Sequence, residues 1–267
     1  MVNRNMTAES SHRSALITGG AIRVGAAMAQ ALAADGWHVA IHYHGSGGAA
    51  EALLAKIQAA GGHGHLVQAD LRDVRAVAGL IAAAGRDAPP LGCLINNASL
   101  FENDAALNMT QDSWDDHQAV NLRAPVFLAR DFARNLDAQN LTDGLPGVVI
   151  NLLDNKIFAL NPDFFSYTIA KYGLLGATKV LAMELAPQVR VCGIAPGITL
   201  PSTNQSEQGF RTAHALNPLG QGSTLEQLVA ALRFILAAPA LTGEVITIDG
   251  GQSLLGLPRD VTFLTED

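Results

Sequence analysis

Short apolar runs alternate along the chain with longer stretches in which apolar residues recur three and four apart. That alternation limits the fold more than any other feature, because it is the pattern of strand–helix–strand units feeding one parallel sheet. Seven runs read as strands: Ala15–Thr18, His38–Tyr43, His65–Gln68, Cys93–Asn96, Val148–Leu152, Arg190–Ile194 and Val245–Ile248. Between them, helices are predicted over Val24–Asp35, Ala49–Ala60, Val74–Ala84, Ser113–Leu136, Phe165–Leu185 and Leu225–Ala237, with Thr224 as the start signal of the last. Right-handed crossovers then put helices on both faces, giving a doubly wound α/β fold with a seven-stranded parallel sheet.

One domain of this kind accounts for 267 residues, with residues 14–267 as the domain and Met1–Arg13 as a mobile leader. A composition of 49% hydrophobic and 15% charged residues is that of a chain with a full core. The formal charge of −7 has the wrong sign for gathering nucleic-acid backbones, so no nucleic-acid partner is expected. No apolar signal core opens the chain and no window of about eighteen apolar residues follows, so a soluble cytoplasmic protein without membrane partners is expected. Cys93 and Cys192 fall within apolar strands, which argues against a disulfide and for a reducing compartment.

The segment Leu200–Gln221 departs from the pattern, being polar and containing Pro201 and Pro218. It reads as a flexible insertion after the sixth strand. In an open parallel sheet ligands bind beyond the carboxyl ends of the strands, so the insertion is either a substrate lid or a plain surface loop.

Directly after the first strand, Thr18-Gly19-Gly20-Ala21-Ile22-Arg23-Val24-Gly25 leads into a helix. Glycines let backbone approach a pyrophosphate, and the first helical turn offers free N–H groups and a positive dipole end. The second strand ends in His42-Tyr43-His44-Gly45-Ser46 with no acid. The nearest is Glu51, inside the next helix. A ribose with a free 2′-hydroxyl normally meets an acid at that place, whereas Arg23, His44 and Ser46 can donate to a 2′-phosphate. NADPH is therefore expected over NADH. Asp70-Leu71 and Asn96-Asn97-Ala98-Ser99 close the third and fourth strands, where a dinucleotide would lie. Asp70 serves either to accept from the adenine amino group or to cap the helix from Val74. The pairs His42/His44 and His63/His65 lack a Cys, Asp or Glu at ligand spacing, so no metal is expected.

Tyr167 and Lys171 lie four apart near the start of a predicted helix and share one face. A phenol titrates near ~10, and a neighbouring ammonium favours its ionised form, which brings a proton donor towards working pH.

With these residues the chain resembles the short-chain dehydrogenases/reductases over roughly Ala15 to Ser253. The likeness rests on Thr18–Gly25, Asn96-Asn97-Ala98, Asn121, Tyr167/Lys171, Pro196-Gly197 and Asp249-Gly250-Gly251, in that family's order and spacing. It implies a Rossmann dinucleotide fold. It also implies Asn121, Tyr167 and Lys171 as catalytic residues, with Asn121 and Lys171 in a water-mediated proton relay and Lys171 on the nicotinamide ribose. Gly19, Arg23, Val24, His44, Ser46, Asp70, Leu71, Asn97, Ala98, Ser99, Pro196 and Gly197 would join Lys171 around NADP(H), and a homotetramer is implied.

Thirteen residues before Tyr167, where the general family carries a Ser that binds a substrate carbonyl, stands Asp154. An ionised carboxylate cannot donate to a carbonyl, but it accepts from N–H or, protonated, gives a proton to a ring nitrogen. This exchange resembles the pteridine reductase branch, as do His42–Ser46, Arg23 and Asn97-Ala98-Ser99-Leu100-Phe101. By that likeness Asp154, Tyr167, Ser99 and Phe101 meet a pterin-like ring, with Phe101 stacking on it. Gly45 departs from the branch, which often has Arg there. The expected activity is NADPH-dependent reduction of a dihydropterin or dihydrofolate. The alternatives are a carbonyl or 3-oxoacyl reductase and a non-catalytic NADPH-sensing module.

Overall fold

A computed structural model of the protein describes residues 13–139, 146–201 and 206–265. Residues 1–12 of the expected leader and 202–205 of the expected lid lie outside the described residues. Arg13 is buried, and its carbonyl accepts from His38 N–H as the sheet begins.

Seven parallel strands form one sheet: β1 Ser14–Ile17, β2 His38–Tyr43, β3 His63–Gln68, β4 Leu91–Asn96, β5 Gly147–Leu152, β6 Val189–Pro196 and β7 Val245–Ile248. Their order is β3-β2-β1-β4-β5-β6-β7, so chain direction across the sheet reverses between β1 and β4. That switch point opens a crevice at the strands' carboxyl ends. The helices are α1 Arg23–Ala34, α2 Gly47–Ala59, α3 Val74–Ala84, α4 Gln111–Gln118, α5 Ala124–Gln139, α6 Phe165–Glu184, α7 Glu207–Ala215, α8 Leu225–Ala237 and the short α9 Thr262–Thr265.

Successive strand residues point to opposite faces, and the core divides accordingly. Ile17, Ile41, Ile95, Ile150 and Ile194 face a layer with Met28 and Leu32 of α1, Ile57 of α2 and Leu232 of α8. Leu16, Ala40, Leu94, Val149 and Val191 face Leu80 of α3 and Leu128 and Phe132 of α5. Each large side chain taken from water contributes roughly 1.5–3 kcal/mol, so both faces of the sheet are held independently. Cys93 and Cys192 are buried free thiols in this core.

Helix starts follow local chemistry. Asp73 accepts from Arg75 N–H ahead of α3, and Thr224 with Gln227 forms a capping box on α8. The stretch predicted as one helix over Ser113–Leu136 is interrupted, because Ala119–Arg123 forms a π turn between α4 and α5. Pro125 lacks the N–H that would continue the ladder there, and the turn widens. The segment expected to be a flexible insertion contains α7, whose first turn is capped by Ser206 accepting from Gly209 N–H. No helix among the described residues is long and apolar enough to cross a membrane.

Candidate active site

At the crevice the turn after β1 and the loop after β4 are tied together by backbone-directed bonds. Thr18 Oγ1 accepts from Asn97 N (3.0 Å) and Ala98 N (3.1 Å), and Asn97 Nδ2 donates to the carbonyls of Thr18 (2.9 Å) and Gly19 (3.0 Å). Gly19 sits at φ +59°, and a Cβ there would stand 2.9 Å from Ala98 Cα. A Cβ on Gly25 would overlap the Gly19 carbonyl oxygen. These glycines therefore keep a backbone-lined cradle open, which fits a pyrophosphate at the start of α1.

His42 secures the cradle from below. Its Nδ1 accepts from Gly19 N–H (3.0 Å) while Nε2 donates to the Ala69 carbonyl (3.2 Å), which requires the neutral Nε2–H tautomer. Burial pushes its pKa down to about 4. His38 and His65 pair with each other across β2 and β3 at 2.9 Å. Among the described residues no group of three or more His, Cys, Asp or Glu could hold a metal ion.

One cleft of about 1000 Å³ runs from this cradle to the C-terminal segment. It is lined by Gly19, Arg23, Val24, His44, Asp70, Leu71, Asn97, Ala98, Ser99, Phe101, Asp154, Tyr167, Lys171, Pro196 and Gly197, so most of the expected site residues meet there. Ser46 and Asn121 do not line it. Ser46 precedes α2 without capping it. Asn121, in the π turn, accepts from Leu100 N and donates to Leu100 O, both at 2.8 Å, so its side chain pins the loop that carries Ser99 and Phe101. Helix α3 is capped by Asp73, not Asp70. Asp70 is instead bound by the Arg72 guanidinium.

The chemical centre lies where α6 faces the end of β5. Tyr167 Oη donates to Asp154 Oδ2 at 2.6 Å, and Asp154 Oδ1 accepts from Lys156 N at 2.8 Å. Lys171 Nζ donates to the Leu152 carbonyl at 2.7 Å and stands 5.7 Å from the Tyr167 ring centre. Although Asp154 opens on the cleft, the surrounding protein desolvates its carboxyl and pushes its pKa up against the Tyr167 and Lys156 hydrogen bonds. The effect expected of the ammonium on the phenol is reversed. Burial, then Asp154, pushes Tyr167 well above the ordinary range. Burial lowers Lys171 to about 8, with Asp154 opposing. The result is a phenol that keeps its proton, aimed at a carboxyl, beside an ammonium close to losing its own.

Sequence reasoning missed the wall opposite. Phe164 stacks on Phe101 (4.2 Å between ring centres, 14° between planes), and Phe101 meets Tyr167 edge-on at 4.7 Å. Phe164 takes a left-handed φ of 53° at the start of α6, a costly conformation for a bulky residue. Lys156, buried, pairs with Asp260 (2.9 Å) and hydrogen-bonds Asn161, while Arg259 pairs with Asp163 (2.8 Å). The C-terminal segment thus closes the cleft's end, from residues about a hundred positions away, and no local spacing could have signalled it.

A family model described as short chain dehydrogenase matches residues 13–211. The chain belongs to the short chain dehydrogenase family. By that membership it is an oxidoreductase, and its seven-stranded sheet is of the Rossmann type. Among solved structures it is similar to FolM alternative dihydrofolate reductase 1 from Brucella suis in complex with NADP. The two chains are 39% identical with a TM-score of 0.85, over 92% of this chain and 96% of that one. The same protein from Brucella canis, also complexed with NADP, is 40% identical with a TM-score of 0.85, over 92% and 95%. Curated relatives point elsewhere in the family. A 3-oxoacyl-[acyl-carrier-protein] reductase of Synechocystis is 31% identical over 242 residues, 89% of this chain and 96% of its own. A probable galactose dehydrogenase GalD of Rhizobium meliloti is 32% identical over 251 residues, 90% and 94%.

Proposed function

We propose that this oxidoreductase uses NADPH to reduce a C=N bond in a dihydropterin-like ring, dihydropterin or dihydrofolate. The observation that carries the proposal is the 2.6 Å bond from Tyr167 Oη to Asp154 Oδ2 in the cleft. A ketone site needs a second donor beside the tyrosine, and a carboxylate already accepting from that tyrosine is a poor one. A heterocycle offers both ring nitrogens to protonate and N–H groups to bind, which matches a carboxyl that accepts when ionised and donates when protonated. The likeness to NADP-bound FolM structures supports the same reading.

NADPH, when bound, supplies the hydride to the ring carbon. The cradle of Gly19, Val24, Asn97, Ala98, Pro196 and Gly197 would hold it, with Leu71 and Asp70 towards its adenine and Arg23 and His44 towards its 2′-phosphate, whereas Ser46 lies off the cleft. Phe101, 46% exposed and backed by Phe164, offers a face for the flat substrate ring, with Ser99 beside it. Tyr167 and Asp154 deliver one proton to the adjacent nitrogen, so the C=N bond becomes CH–NH. Lys171 restores the proton on Tyr167, and Asn121 acts through the Leu100 backbone to keep the loop in register. The lid reading of 200–221 rests on Thr199 and Leu200 lining the cleft at the head of that segment.

The rival reading, a 3-oxoacyl or other carbonyl reductase, is favoured by the curated relatives. Replacing Asp154 by Ser decides between them. The substitution is expected to abolish dihydropterin reduction and raise ketone reduction. Ketone turnover by the wild type alone would overturn the proposal. A homotetramer is proposed on the exposed apolar side chains of α5 and α6, Phe127, Ile169, Tyr172, Val180 and Met183. Light scattering at micromolar concentration would refute it by returning a protomer mass.

A further inference from the structure

The loop after β3 carries an arrangement that the roles assigned so far do not use. Arg72 clasps Asp70 with Nε at 3.1 Å from both carboxylate oxygens and Nη2 at 2.9 Å from Oδ2, while its backbone N donates to Oδ1 at 2.9 Å. The guanidinium is itself fixed: Nη1 reaches Asp116 at 3.1 Å, and Arg123 donates to the Arg72 carbonyl at 2.6 Å. His44 Nε2 stands 3.7 Å from the same Asp70 oxygen that Arg72 Nη2 holds. His44, Asp70, Arg72 and Asp116 all line the cleft. A group that bonds His44 therefore arrives beside the Asp70 carboxylate.

We infer that Arg72 is a cofactor-discriminating residue: by neutralising Asp70 next to His44, it lets the rim of the cleft accept a 2′-phosphorylated ribose. The inference rests on the reading of NADPH as cofactor.

The charges decide the matter. A 2′-phosphate brings close to two negative charges at neutral pH. Gly45 provides no cation at the end of β2, and nothing lies within 4 Å of where its Cβ would be. Arg23, another cation lining the cleft, donates to the Pro201 carbonyl at 2.9 Å. Without Arg72, two carboxylates, Asp70 and Asp116, would face the incoming phosphate uncompensated. The Arg72 hydrogen bonds hold the Asp70 carboxyl below its ordinary range, so its charge persists at every working pH. NADH lacks the 2′-phosphate, so this balance bears on it less than on NADPH, which makes the effect one of selectivity.

The test is fluorescence titration of the wild type and of Arg72→Ala, Arg72→Gln, Asp70→Asn and the double variant Arg72→Ala/Asp70→Asn with NADPH and with NADH. Arg72 is about half-exposed, so its variants should fold. Arg72→Ala is expected to weaken NADPH roughly fourfold more than NADH, the size set by one lost charge acting on a nearly doubly charged phosphate about a nanometre away in high dielectric. Arg72→Gln should behave alike, because it keeps a donor for Asp70 but not the charge. Adding Asp70→Asn should restore most of the lost selectivity, and molar salt should shrink the loss. An unchanged NADPH-to-NADH ratio in Arg72→Ala, or a double variant no more selective than that single variant, would overturn the inference. Equal affinity of the wild type for the two cofactors would instead overturn the NADPH reading beneath it.

Discussion

Replacing Asp154 by Asn separates proton supply from architecture at the centre of the site. The amide fits the same space and can satisfy both neighbours. Its oxygen accepts from Lys156 N–H, and its NH₂ donates to Tyr167 Oη, which reverses the 2.6 Å bond that Tyr167 now donates. Two hydrogen bonds lose their charge-assisted part, about 1 kcal/mol each, and a desolvated carboxyl is removed, which offsets them. Net stability should therefore change by no more than about 1 kcal/mol. Catalysis should not be spared, because the amide cannot exchange a proton with the substrate. Loss of a positioned acid or base costs about 10²–10⁴ in rate, or ~2.7–5.4 kcal/mol of barrier. Dihydropterin-dependent oxidation of NADPH, followed by its absorbance, should fall at least about 100-fold in kcat, with cofactor affinity within about threefold of wild type. A kcat within about threefold of wild type, in a protein of unchanged melting temperature, would refute the assignment of Asp154 to proton supply.

Other outcomes follow from the same geometry. Lys171, lowered to about 8, should impose a fall in kcat as pH rises through that value, since the proposed relay draws the Tyr167 proton from the ammonium. Asp154→Asn, which removes the carboxylate raising Lys171, should move this limb to lower pH, and a flat alkaline profile in the wild type would contradict the relay. His42 has a folded pKa of about 4 against 6.5, so the unfolded chain binds more protons between these values and stability falls as pH falls through that window. The loss is about 3 kcal/mol by melting or urea titration, and His42→Gln should remove it while leaving the smaller contribution of the His38–His65 pair. Gly25→Ala would bring a Cβ within 2.6 Å of Asn97 Nδ2 and onto the Gly19 carbonyl, so the cradle must open. Roughly 1–3 kcal/mol of stability and more than about tenfold in NADPH affinity should go with it, as calorimetry and titration would show.

Much of this architecture could be read from the chain because it depends on period and on local chemistry. The apolar runs at Ile17, Ile41, Ile95 and Ile150 mark strands buried on both faces, and the structure shifts their ends by only a few residues. Tyr167 and Lys171 could be paired because four residues make one helical turn. Two local readings were incomplete for identifiable reasons. The helix read over Ser113–Leu136 is helical throughout but holds a π turn ahead of Pro125, and the polar composition of 200–221 concealed the capped helix α7. What lay out of reach depends on chain-distant contact. Lys156 and Asp260 are 104 positions apart, as are Asp163 and Arg259 by 96, and neither pair has a motif. Burial also escaped the sequence, and with it the balance at Tyr167, where desolvation and Asp154 outweigh the ammonium.

The central claim, that a carboxyl-partnered phenol serves a ring C=N bond, is tested most directly by steady-state turnover of the wild-type protein with NADPH. Dihydrobiopterin, dihydromonapterin and dihydrofolate would be compared with a simple ketone and a 3-oxoacyl thioester under the same conditions. The account expects at least one of the three pteridines to be reduced with kcat/KM well above either carbonyl compound. Reduction of the carbonyl compounds with no pteridine turned over above background would contradict it.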